Sequence, residues 1–143
     1  MRAYCLALDE TTRLGTLNVS ATYPGSVYNA FEQQAELDGA PVPVGFRQAV
    51  LGVSADDMVD RFGAPPPHHI KLDVDSTEAA ILRGAARVLR APALRSVLVE
   101  TTQQDSPQNG EIDALMSAAG FRAESRGRGG PLTVNVIYRR SDA

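Results

Sequence analysis

Four carboxylates are spaced for chemistry: Asp73, Asp75 and Glu78 in one short stretch, and Glu100 further on. His69-Ile70-Lys71-Leu72-Asp73-Val74 alternates. That alternation predicts a strand with Ile70, Leu72 and Val74 on one face and Asp73 on the other. Lys71 shares the face of Asp73 and is placed to pair with it. Asp75-Ser76-Thr77-Glu78 then opens a helix through about Arg90, with Ile81, Leu82, Ala85, Val88 and Leu89 at helical spacing. Pro92 blocks its continuation, and Leu94 to Val99 is a second apolar strand ending at Glu100. Strand, helix and strand of this length form a βαβ unit with parallel strands. Ligands of open α/β sheets bind beyond the carboxyl ends of such strands. All four carboxylates are therefore expected at one crevice. There they could hold a cation, orient a substrate hydroxyl or act as general base. A purely structural reading stands beside this, because Asp75 and Glu78 have capping-box spacing and suit a helix amino terminus.

Other motifs are weaker. Asp73-Val74-Asp75-Ser76-Thr77 fits the DxDx(T/V) nucleophile of dehalogenase-type phosphatases and the DxD of metal-dependent glycosyltransferases. The first expects a later acidic pair for magnesium, whereas only isolated acids follow, such as Asp105, Glu111 and Asp113. The second expects a preceding nucleotide-binding βαβ unit, which is missing. His68 and His69 are adjacent, so in a strand they point to opposite faces. They lack the spacing of a helical metal pair and read as residues leading into the strand.

The remaining elements must position this unit. Ala3 to Leu8 reads as a short buried strand, and Leu14 to Val19 as a second that pairs with it. Ser20 to Gly45 reads as a long surface excursion, weakly helical from Tyr28 to Leu37. Arg47 to Val53 is another strand. Ser54 then caps a short helix bearing Met58, Val59 and Phe62, which Gly63 ends. Asn109 to Ala119 is a further helix, stopped by Gly120. Phe121 to Arg126 and Leu132 to Tyr138 form an antiparallel hairpin around the turn Gly127-Arg128-Gly129-Gly130-Pro131.

The composition narrows the class. The 143 residues suit a single domain spanning 1–143 with its own core. A net charge of -3 disfavours general nucleic-acid binding. The one cysteine, Cys5, excludes an internal disulfide and fits a reducing, cytoplasmic setting. No apolar run approaches the ~18 residues of a membrane span. No metal pattern is present, so no metal is assigned.

The ordered match across His69–Glu78, Ile81-Leu82-Arg83-Gly84-Ala85 and Leu94–Glu100 resembles the core of FkbM-type methyltransferases. That family has a pattern close to IKIDVDGxE, then ILxGA, then a strand ending in Glu. Ala7-Leu8-Asp9 with Gly15-Thr16-Leu17, the helix from Ser54 to Phe62, Gly120-Phe121 and Asn135 extend the likeness over nearly the whole chain. The resemblance implies an α/β fold. It would be part of a Rossmann-like methyltransferase sheet of order 3-2-1-4-5-7-6, parallel strands closing with a carboxyl-terminal antiparallel hairpin. By this mapping the chain starts at the third strand. The Gly-rich turn and the ribose-binding acid of the first two strands are not in it. Ser76 stands where the family usually has Gly.

At a strand spacing of about 4.8 Å, two missing strands leave a gap of roughly 14 Å between the third and fourth. Unfilled, the strand ending at Val74 is an exposed edge, open to self-association. Two functions follow. In the first, the chain is the carboxyl-terminal part of an S-adenosylmethionine-dependent O-methyltransferase acting on a small-molecule hydroxyl of a sugar or natural-product scaffold. The resemblance then implies Asp73 beside the sulfonium and acceptor, with Asp75 and Glu78 in the same catalytic group. It implies Glu100 at the acceptor pocket and Leu8-Asp9 near the adenine. In the second, the chain is a non-catalytic remnant or an interaction module pairing through its open sheet edge.

Overall fold

The structure is a computed structural model that describes residues 3–24, 27–37, 40–74, 77–102, 106–130 and 133–141. Asp75 and Ser76 lie outside the described residues, as do Gly25, Gly39, Asp105, Pro131 and Leu132. In chain order the elements are β1 (Ala7–Leu8), β2 (Arg13–Val19), β3 (Ala30–Phe31), β4 (Glu36–Leu37), β5 (Ala40–Pro41) and β6 (Phe46–Val53). Next come α1 (Ala55–Asp60), β7 (His69–Leu72), α2 (Glu78–Arg83), α3 (Ala86–Arg90) and β8 (Ser96–Thr102). The chain closes with α4 (Pro107–Ala118), β9 (Phe121–Arg128) and β10 (Thr133–Arg140).

The fold is mixed α/β with two four-stranded mixed sheets. The first has order β1-β6-β2-β3, and the second β7-β8-β10-β9. β4 and β5 form a small separate ribbon. In the second sheet β7 and β8 are parallel, as the βαβ reading expects, and β9 and β10 form the expected antiparallel hairpin. Its order is the 4-5-7-6 half of the expected sheet. The other half differs. β2 pairs with β6 and β3 rather than with β1, and β1 runs parallel to β6. β6 takes the place beside β1 because it brings seven antiparallel pairings to β2, which a two-residue β1 cannot supply.

One face of the second sheet carries Leu72, Val97, Val99, Val136 and Tyr138, all nearly or fully buried. Opposite them pack Ile81, Leu82, Val88, Leu89, Ile112 and Met116 from the helices. The other face carries Lys71, Leu98, Glu100, Asn135 and Ile137, none of them fully buried. Leu8, Ala55 and Val59 join the first sheet and α1 to the same core.

The described residues between Ser20 and Gly45 are not merely a surface excursion, and none of them is helical. Ala30, Phe31 and Ala35 are buried. The Phe31 ring lies across Gly15 and Gly52, where a Cβ on Gly52 would come within 2.6 Å of it. The Arg13 guanidinium stands 5.2 Å from the ring centroid. A patch bare of side chains on two paired strands thus accepts an aromatic ring that polar surroundings concealed in the sequence.

The helix expected from Asp75 to Arg90 is two short helices. Gly84 lies against the backbone of Asp9 and Glu10, so that an added Cβ would approach the Glu10 carbonyl to 2.8 Å and the Asp9 carbonyl closer still. The Gly84 carbonyl accepts from the Asp56 amide at 3.0 Å. The Asp56 carboxylate in turn accepts from the amides of Arg87 (3.0 Å) and Val88 (2.9 Å). It replaces the helical bonds that the break removes. Ser54 caps α1 as expected, accepting from the Asp57 amide at 3.1 Å, and Gly63 ends the turn with φ +67°. Arg140 closes the other side of the helical layer. It donates to the carbonyls of Leu89 (2.8 Å), Ala91 (2.9 Å) and Leu94 (2.9 Å) and covers the Phe121 ring.

Two outcomes are expected. Gly84→Ala forces the α2–α3 corner off the β1 end, and overpacking of this kind costs about 1–3 kcal/mol. A thermal or urea melt should show the loss, and an unchanged midpoint contradicts the close approach. Tyr138 is 3% exposed, and its hydroxyl donates to Asp113 Oδ1 at 2.5 Å. Burial, then the Asp113 partner, raises its pKa above the ordinary 10.0. The neutral phenol therefore contributes stability below pH 10 that is lost as pH climbs beyond it. Wild-type melts should weaken above pH 10 more steeply than those of Tyr138→Phe.

Candidate functional site

The expected gap is a cleft. It lies between β1 and β7 and has a volume of about 350 Å³, within the range of small-molecule sites. Leu6 to Leu8 form one wall, and Lys71 to Val74 with Thr77 and Ile81 the other. Phe31, Ala30, Leu17 and Val50 close the apolar side. Among the described residues β8 is the one strand partner of β7, so the other edge of β7 opens on this cleft.

Parallel register places Leu72 opposite Val99, which sets Asp73 and Glu100 side by side just beyond. Lys71 Nζ donates to Asp73 Oδ2 at 2.5 Å. This hydrogen bond and the ammonium charge hold the Asp73 carboxyl below its ordinary range, and a hydrogen bond with Glu100 acts in the same direction. The Lys71 ammonium is held above its ordinary range by the same Asp73 partner.

Glu100 lies within β8 rather than at its end, since the strand continues to Thr102. Its Oε1 accepts from the Thr133 hydroxyl at 2.9 Å. The Gly130 amide donates to that hydroxyl at 2.5 Å, and the Gly129 amide to the Thr133 carbonyl at 3.1 Å. A Cβ on Gly129 would reach within 2.6 Å of Thr133 Oγ1 and 2.8 Å of Glu100 Oε1. The glycine stretch, read from sequence as a plain turn, therefore packs on a candidate site residue. The adjacent glycines were the only sequence signal for it, and a turn alone accounts for adjacent glycines.

The four carboxylates do not all converge. Glu78 is 4% exposed and accepts from Gln108 Nε2 at 2.9 Å, which turns it toward α4. Thr77 is the cap of α2 and gives no side-chain cap bond. Asp75 lies outside the described residues. Leu8 lines the cleft, whereas the Asp9 carboxylate pairs with Arg13 at 3.0 Å and its amide donates to the Val53 carbonyl. Among the described residues no group of three metal-ligating side chains is present, and no helix is long and apolar enough to cross a membrane.

A family model described as the methyltransferase FkbM domain matches residues 23–123. The chain belongs to the FkbM methyltransferase family. Neither the curated proteins nor the solved structures yield a match.

The family is generally S-adenosylmethionine-dependent. The residues present fit one side of such a donor. Aliphatic and aromatic walls suit its apolar parts, and the Asp73 carboxylate suits a positive charge. Of the glycines at 127, 129 and 130, Gly129 adjoins Glu100, and the stretch joins two strands rather than opening a helix.

The contact between the glycine stretch and Glu100 predicts a contrast. Gly129→Ala breaks the Thr133–Glu100 hydrogen bond and costs about 1 kcal/mol. Gly127→Ala, whose Cβ meets nothing within 4 Å, should be neutral or slightly stabilising. Equal urea midpoints for the two variants contradict the contact.

Proposed function

We propose that the chain forms the acceptor side and one wall of the methyl-donor site in an S-adenosylmethionine-dependent O-methyltransferase domain. The observation that carries this is that Asp73 lines an apolar cleft and stands beside Glu100 of the neighbouring parallel strand, within a family of methyltransferases. The donor, when bound, supplies a methyl group on a cationic sulfur. Asp73 offers that charge a counter-ion from the cleft wall, with Leu8 and Phe31 keeping water from the apolar side. Glu100, aimed by Thr133, would hold the acceptor hydroxyl and take its proton as the oxygen accepts the methyl group, whose bond to sulfur breaks to leave a neutral thioether. A compact hydroxyl compound of the sugar or natural-product type is the acceptor class that two carboxylates and an ammonium suit. A cytoplasmic setting goes with this reading, because the one cysteine is free and exposed.

A second reading rests on β7. Among the described residues its outer edge has no strand partner, and such an edge can pair with another chain. On that reading the protein is an interaction module that self-associates and transfers nothing.

A thermal melt separates the two. Donor at 100 times its dissociation constant stabilises by about 2.7 kcal/mol, a shift of several degrees for a domain of this size. The methyl-donor reading expects this shift for wild type and a smaller one for Asp73→Asn. A cooperative melt unmoved by the donor, whose midpoint instead rises with protein concentration, favours the module.

A further inference from the structure

We propose that Lys71 is a positioning residue, whose ammonium fixes the Asp73 carboxylate as an anion at the mouth of the cleft. The inference rests on the function above only for the use made of Asp73. Lys71 is the only lysine among fourteen basic residues. It lies two positions before Asp73, the two side chains meet, and both line the cleft. Asp73 lies one residue beyond Leu72, the last residue of the strand. The ammonium, anchored by a residue that is still in the strand, supplies the restraint. Among the described residues, the charged groups set against Asp73 are Lys71 from its own strand and Glu100 from β8. Without the ammonium, Asp73 would lose the partner that does most to keep its carboxyl ionised. Asp73 stays an anion with a counter-ion, and Glu100 keeps a neutral hydroxyl partner in Thr133.

The pair is exposed, with side chains 64% and 46% accessible, so solvent screens it and its share of fold stability is small. Its effect is local. Lys71→Met should melt like wild type, which leaves the site open to direct measurement.

The test is a carboxyl-carbon NMR titration of Asp73 in wild type, Lys71→Met and Lys71→Arg, with Asp73→Asn identifying the resonance. Wild type should titrate below the ordinary aspartate range. The midpoint should rise in Lys71→Met and stay low in Lys71→Arg. The single lysine provides the reciprocal reading: its side-chain resonance should titrate above the ordinary range and fall back in Asp73→Asn. An Asp73 midpoint unchanged by Lys71→Met, or a Lys71 midpoint unchanged by Asp73→Asn, overturns the proposal. The same variants in a methyl-transfer assay should show the acid limb of the rate moving to higher pH in Lys71→Met. Absence of transfer by wild type counts against the proposed function and leaves the titration to decide the role of Lys71.

Discussion

Asp56 ties the molecule together. Its amide donates to the Gly84 carbonyl, and its carboxylate accepts from the first amides of α3. One residue of α1 thereby completes the backbone hydrogen bonding of a helix break elsewhere in the chain. The break exists because Gly84 must approach the Asp9–Glu10 backbone. Both constraints join the half of the molecule that holds β1 to the half that holds β7. Arg83 adds ion pairs to Glu10 and Glu111 at the same corner. The cleft is what remains between two sheets held at this junction and, among the described residues, not joined by a strand. A continuous helix through Gly84 would need a side-chain-free corner no longer, and β1 would lose the surface it rests on.

The site inherits this arrangement. Among the described residues β7 is an edge strand whose parallel partner β8 sets Asp73 beside Glu100, and its other edge faces Leu6 to Leu8 across the cleft. Polar groups gather at the mouth while the interior is apolar. This combination suits a ligand with an apolar body and a charged or hydroxylated reacting end. Lys71 on one side and Thr133 on the other give the two carboxylates unlike partners. Unlike partners are what allow neighbouring acids to take different tasks.

Much of the second sheet was legible in the sequence, because its signals are local. Alternation from His69, the helical spacing of Ile81 to Leu89 and the apolar run before Glu100 each needed only nearby residues, although the strand stops at Leu72 and leaves Val74 exposed. The capping by Ser54 and the stops at Gly63 and Gly120 were legible for the same reason. The first sheet was not. Phe31 is buried by two glycines remote from it in sequence, and β6 outcompetes β1 for β2 through a pairing that spans the loop between them. The split helix was equally hidden, since its cause is the approach of Gly84 to the Asp9–Glu10 backbone, remote in sequence. Within the site, the Asp73–Glu100 pairing followed from parallel strands. The turning away of Glu78 toward Gln108 depends on α4, and the Thr133–Glu100 contact on the hairpin.

The central claim is that the cleft between β1 and β7 is where a methyl donor meets Asp73. Amide chemical-shift mapping of the protein with S-adenosylmethionine tests it most directly. The account predicts perturbations at Leu6 to Leu8, Ala30 and Phe31, and Lys71 to Val74 with Thr77. No perturbation at saturating donor would contradict it. So would a pattern centred on the groove between α3 and α4, around Leu89, Leu115 and Ala119.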